Sequence, residues 1–292
     1  MGLSMVLGQV LSGLTTAMFL FMVASGLSLI FGVMRVLNFA HGSLYMVGAY
    51  IAWQIMTILT GVAGSFLLAV IAATLCVAVL GGVLERAFFA RLYGRPELYQ
   101  LLLTYALVLV MGDLVRIIWG SQQLSVRVPE ALSGAVRLGD LYVPAYSLMV
   151  VLVGIALAVG VWLALTSTPA GRMVRAAAID REMLSALGAD VRMIYTGMFM
   201  LGAALAGLAG ALISPIQSLV PGMDTEVIVQ AFIVVVIGGI GSFWGTFLGS
   251  LLYGQVLAFG ILIFPGFSLF SVYALMAVIL IVRPSGLLGR KG

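Results

Sequence analysis

Residues 227–282 read VIVQAFIVVVIGGIGSFWGTFLGSLLYGQVLAFGILIFPGFSLFSVYALMAVILIV, 56 consecutive positions without Asp, Glu, Lys or Arg. About 20 apolar residues in a helix cross a bilayer core, so the block is too long for one span. Gly238, Gly239, Gly241 and Gly245 each cost a continuous helix roughly 1 kcal/mol, which places a break within IGGIGSFWGTFLGS (237–250). Two readings stay open: three compact spans, or one span plus a re-entrant pair of half-helices.

The same pattern runs through the rest of the chain. Met1–Met34, Val36–Leu84 (interrupted only by His41), Leu141–Gly171 and Met193–Met223 are also free of charged residues and long enough to span. Charged residues make up 8% of the 292, against about 25% in a soluble domain, which excludes a water-wrapped globule. The runs do not alternate, which excludes a barrel. The chain therefore reads as all-α, a single polytopic transmembrane helical bundle over 1–292 with eight or nine membrane segments, some broken or re-entrant. The first run lacks a basic n-region and exceeds an h-region of about 7–15 residues, so its helix is read as its own insertion signal.

Turn signals cut the earlier runs into spans near 6–33, 41–60, 65–84, 98–119, 145–166 and 193–214. Three connecting segments are basic: Arg86, Arg91 and Arg95; Arg172, Arg175, Arg181 and Arg192; and a tail with Arg283, Arg290 and Lys291. The positive-inside rule puts these in the cytoplasm. The segment 120–144, with Glu130 and Asp140, and the segment 215–226, with Asp224 and Glu226, then face out, and the amino terminus lies outside. The net charge of +4 points to lipid headgroups or a cytoplasmic partner rather than nucleic acid. One cysteine, Cys76, and one histidine exclude an internal disulfide and argue against a metal centre; Cys76 is read as a packing residue. Asp113 and Arg116, spaced i, i+3, are expected to pair with each other.

In 193–214, Gly202, Ala206 and Gly210 form one row of small residues, and Ala203, Gly207 and Ala211 a second. Such rows let helix backbones approach closely in lipid, so this helix is expected at the centre of the bundle. The segment 167–192 is the most informative soluble stretch. Thr168 can cap a helix that begins at Pro169 and stops at Gly188, about 19 residues and 28 Å long. Its face carries Arg175, Ile179, Met183 and Leu187, with an Ala176–Ala178 centre. A short amphipathic helix of this kind suits insertion into a groove of a partner subunit; packing on the protein's own helix ends or on headgroups is the competing reading.

LNFAHGSLYMVGAY (37–50), GRMVRAAAIDREMLSALGADVRMIY (171–195), VVIGGIGSFWGTFLGS (235–250) and RPSGLLG (283–289) together resemble the permease subunits of branched-chain amino acid ABC importers, a group that also includes permeases for urea, short amides and other small carboxylate solutes. The four matches keep their order and span nearly the whole chain. The resemblance implies a multi-pass protein of the bacterial inner membrane, with a periplasmic amino terminus and a cytoplasmic carboxy terminus. Its implied partners are a second related permease, two cytoplasmic ABC ATPases, a periplasmic solute-binding protein, the bilayer and a small polar solute. It makes 171–190 the coupling helix, with Gly171, Arg172, Arg175, Ala176, Ala177, Asp180, Leu187 and Gly188 seated in an ATPase cleft. The sequence has no G-x-x-x-x-G-K-[ST], so the chain is not itself a P-loop ATPase; the resemblance implies a transport subunit that is no enzyme and binds no cofactor of its own, with ATP and Mg used by the partner ATPases.

Polar residues are tolerated at membrane depth where they are buried in protein or line a wet cavity. Asn38, His41, Gly42, Ser43 and Tyr45 at a first break near 36–42, and Gly238, Gly239, Gly241 and Ser242 at the second, are expected to face one another across a solute path. Such a path would pass the solute by dipoles and water without a fixed buried charge. An ion-coupled secondary transporter or channel is the alternative of another class. Such carriers place acidic or basic relays in the membrane, and the blocks 36–84 and 227–282 carry no Asp, Glu, Lys or Arg. A serine hydrolase is disfavoured because no G-x-S-x-G occurs.

Overall fold

The computed structural model describes residues 3–138, 141–263 and 265–289. Asp140, Arg290 and Lys291, counted above in the loop charges, lie outside the described residues. The charge-free runs form helices whose ends fall within a few residues of the expected cuts: α1 (Leu3–Met34), α2 (Ala40–Ile58), α3 (Ser65–Ala87), α4 (Glu97–Trp119) and α5 (Ala145–Ser167). Two short helices follow, α6 (Pro169–Ile179) and α7 (Arg181–Ala186), and then α8 (Val191–Ile213). The 56-residue block resolves into three helices, α9 (Met223–Gly238), α10 (Phe243–Ile263) and α11 (Ser268–Val282). Among the described residues, seven helices are long and apolar enough to cross a membrane; α2 and α9 fall outside that set. The chain is thus an all-α, multi-pass membrane protein. One small hairpin, β1 (Ala135–Leu138) paired antiparallel with β2 (Leu141–Pro144), interrupts it.

The bundle is organised around two helices. α8 is central, as its small-residue rows require. Gly202 meets Gly26 and Ile30 of α1, Gly207 meets Val77 of α3, and Gly210 lies against the backbone of Tyr45 in α2. A Cβ added at Gly48 of α2 would stand 2.5 Å from the Gly207 carbonyl oxygen. Lipid tails compete for large apolar side chains but not for this backbone contact. The second central helix, α1, carried no comparable signal. It is 32 residues and about 48 Å long, and it packs on α5, α8, α9 and α10. Phe21 makes edge contacts with Phe243 and Phe247 of α10. Cys76 is exposed on α3 instead of packing inward. Asp113 and Arg116 pair at 3.1 Å on the surface of α4, as their spacing predicts.

The ends of the helices define two faces. One gathers the ends of α1, α3 and α5, the helices α6 and α7, the start of α8 and the 239–242 turn; Arg86, Arg172, Arg181 and Arg192 make it basic. The other carries the loop after α2 and residues 120–134, which together enclose a cavity of about 920 Å³ rimmed by Trp53, Thr57, Thr60, Arg127 and Glu130.

Candidate functional site

The first break lies at residues 35–39, one step earlier than expected, because the helix resumes at Ala40. Arg35 ends α1 with φ +54, the one non-glycine residue with positive φ among the described residues. The chain then doubles back along α1. Buried His41 reaches the Val23 carbonyl at 3.0 Å; a carbonyl only accepts, so Nε2–H donates and Nδ1 is left without a partner. Val23 is 11 residues from the end of α1, about 17 Å, so α2 starts near mid-depth. Asn38 is fully buried, and neither its Oδ1 nor its Nδ2 has a partner.

Gly42 and Ser43 face α9. A Cβ at Gly42 would stand 2.6 Å from the Asp224 carbonyl oxygen, and the Ser43 hydroxyl donates to Asp224 Oδ2 at 2.6 Å. This corrects the expectation for Asp224. It does not lie in an outward loop: it sits in the first turn of α9, 3% exposed. Glu226, two residues further on, is exposed. The region around the first break therefore does contain a buried carboxylate, contrary to a path without fixed charge. Hydropathy counting missed it because Asp224 stands at the edge of an uncharged run, where a charge reads as a loop. The one available signal was the short, nine-residue interval 214–222 between α8 and α9.

The second break is a hairpin turn. Gly239 and Gly241 adopt φ of +104 and +77, and Ser242 caps α10 by accepting from Gly245 N at 3.1 Å. Gly241 packs on Gly32 of α1, and the last carbonyls of α9 accept from Leu287 N and Leu288 N. Gly42 and Ser43 therefore do not face the second break. Gly42 and Ser43 meet the first turn of α9 and the glycines close its other end, some 24 Å of helix away. Tyr45 remains with the first group, buried in α2 beside Gly210 of α8.

At the basic face, the expected single helix is two. Thr168 does cap α6, accepting from Gly171 N at 3.0 Å, and Gly188 does end the segment with φ +86. The helix nevertheless breaks at Asp180, whose side chain turns back to accept from Glu182 N and Met183 N and so caps α7. An aspartate competes well for exposed backbone N–H groups at a helix start, and here that preference overrides helix continuation. Gly171 is required at the α5–α6 corner, since a Cβ would run into the carbonyls of Ala164 and Leu165. Arg175 donates to Leu165 O, so it ties α6 to α5. Ala177 is buried, with Ala176 partly so, and α6 packs on α1, α5 and α8. The Ala centre thus seats the elbow on its own bundle. Arg172 is exposed, and Ile179, Met183 and Leu187 project outward at 71%, 60% and 77% exposure.

A second buried carboxylate lies at the end of α3, on the same basic face. Glu85 of α3 accepts from Tyr93 at 2.6 Å and from Thr196 of α8 at 2.7 Å. Burial, reinforced by the hydrogen bond to Glu85, pushes the Tyr93 phenol well above its usual range and keeps it a donor. The cluster ties the end of α3 and the following corner to the first turns of α8. The sequence analysis did not single out Glu85, since nothing local marks its partners 8 and 111 residues away.

A family profile described as the permease component of the branched-chain amino acid transport system matches residues 9–282. The chain is 29% identical to the high-affinity branched-chain amino acid transport system permease protein BraD of Pseudomonas aeruginosa, over 97% of this chain and 96% of that one. It is 28% identical to the corresponding LivH proteins of Escherichia coli K12 and Salmonella typhimurium, with the same coverage. No solved structure gives a significant match.

Proposed function

The chain belongs to the family of permease components of branched-chain amino acid transport systems, and from that footing we propose that it is the membrane-spanning subunit of an ABC importer for branched-chain amino acids. In this reading the basic face lies in the cytoplasm, which puts the amino terminus in the periplasm and the chain in a bacterial inner membrane. The solute enters from the face with the 120–134 loop and passes beside α2 and the start of α9. Two ABC ATPases hold ATP and Mg, a second permease completes the pore, and a periplasmic receptor supplies the solute.

The observation that carries the reading is the elbow. Ile179, Met183 and Leu187 are large, apolar and exposed at the end of a rigidly seated pair of helices. An apolar ridge of this kind suits a groove in a partner. The seat beneath it connects through α8 to the core of the bundle, so motion of the ridge is passed inward.

The test is uptake by the assembled transporter in vesicles. Met183→Asp with Leu187→Asp should abolish ATP-driven leucine uptake and lower co-purification of the ATPases, while leaving insertion intact. Unchanged uptake would refute the coupling role. Because Asp224 is buried, the absence of membrane charge no longer argues against an ion-coupled carrier. Vanadate should therefore stop uptake and a protonophore should leave it; the reverse would favour the carrier.

A further inference from the structure

The feature left over by this description is the carboxylate of Asp224. It is 3% exposed, and Ser43, itself fully buried, is its one hydrogen-bond donor among the described residues. No cationic side chain lies within ion-pair distance of it among the described residues; Asp113–Arg116 is the ion pair found there, on the surface of α4. Its level is fixed by its neighbours: Gly42 and Ser43 follow directly on His41, which bonds to Val23, 11 residues inside the end of α1. An acidic group at such depth costs several kcal/mol unless a positive charge or further hydrogen bonds compensate it. The first turn of α9 offers part of that compensation through its dipole, which favours a negative group there. Ser43 offers one hydrogen bond. Neither supplies a countercharge, and the carboxylate has acceptor capacity to spare.

Its setting is also suited to a moving partner. α2 begins at Ala40 after an irregular segment, and the buried polar atoms of Asn38 and His41 Nδ1 in that segment and its first turn are unpartnered. Gly42 brings the α2 backbone against the α9 carbonyl without a side chain between them. The carboxylate is thus held at a junction of two helix starts, where Gly42 and Ser43 of α2 meet the first turn of α9.

We propose that Asp224, oriented by Ser43, receives the cationic nitrogen of the transported solute and so selects for an α-ammonium group in the path. The inference rests on the importer reading and deepens it: the receptor chooses the side chain, and Asp224 checks for the amine. Passage of the ammonium supplies the missing positive charge for as long as the solute is there. A weak and transient partner is what transport needs, because a permanent cation in this position would block the path.

The complete transporter, with receptor and ATPases, is reconstituted in vesicles and supplied with radiolabelled leucine. Asp224→Asn keeps size and can still accept from Ser43 but loses the charge. Its leucine uptake should fall at least about tenfold, the loss expected when one partner of a buried charge pair is removed, while receptor-stimulated ATP hydrolysis continues. Asp224→Glu should recover part of the uptake. Ser43→Ala keeps the charge and should lose less than Asp224→Asn. Wild-type uptake by Asp224→Asn would overturn the proposal, as would an equal loss from Ser43→Ala or a parallel loss of ATP hydrolysis, which would mark a structural role. A wild-type assembly that accumulates no leucine would instead remove the importer reading, and this proposal with it.

Discussion

Individual residues decide how closely the helices meet. A Cβ at Gly48 would lie 2.5 Å from the carbonyl oxygen and 2.6 Å from the Cα of Gly207, and a backbone cannot yield as a flexible side chain can. Gly48→Val should force α2 from α8 and destabilise the protein by more than the roughly 1–3 kcal/mol of ordinary overpacking. The readout is loss of monodisperse protein in detergent and a lower melting temperature. Gly160 in α5 has nothing within 4 Å of an added Cβ. Gly160→Ala should therefore be neutral or stabilise by up to about 1 kcal/mol, the helix-propensity difference, and the pair of variants separates packing from composition. The small-residue rows of α8 were legible because spacing alone defines them. Asp224 and Glu85 were not, because their burial depends on where the chain returns into the bundle, and no residue type records that.

At the scale of elements, the elbow shows local chemistry overruling a helical pattern. Asp180 accepts from two N–H groups at the start of α7. Asp180→Ala should cost about 1 kcal/mol of local stability, the usual value of a lost cap, and should let α6 and α7 move independently or merge. Faster amide exchange over residues 181–187 than over 169–179 would register the change; identical protection in variant and wild type would argue that packing alone holds the bend. The helix start at Thr168 and stop at Gly188 could be read in advance because each signal names one end. The bend could not, since an aspartate within an amphipathic pattern is equally compatible with an exposed helical face. For the same reason the 56-residue block allowed two topologies. Its glycines marked a break, but only the antiparallel packing of Gly238 against Gly245 and of Gly249 against Val234 makes it a hairpin.

For the molecule as a whole, the spans were legible since charge placement and bilayer thickness leave few arrangements. The central position of α1 was not, because its apolar surface is uniform and its neighbours are set by tertiary packing. The proposed importer function makes a strong demand on partners. Vesicles bearing this chain alone should show no uphill accumulation of leucine, and adding the ATPases, second permease and receptor should restore it; accumulation by the isolated chain would require an energy source other than ATP. The clasp on the α9–α10 turn extends the point to biosynthesis. The carbonyls of Ile237 and Gly238 take their hydrogen bonds from Leu287 and Leu288, fifty residues later in the chain. During translation the turn therefore enters the bilayer with those oxygens open, and it closes only once α10 and α11 have followed and the ribosome has released residues 283–289. Quality control thus has a physical mark to read: a nascent chain halted before that point remains unlatched on its basic face.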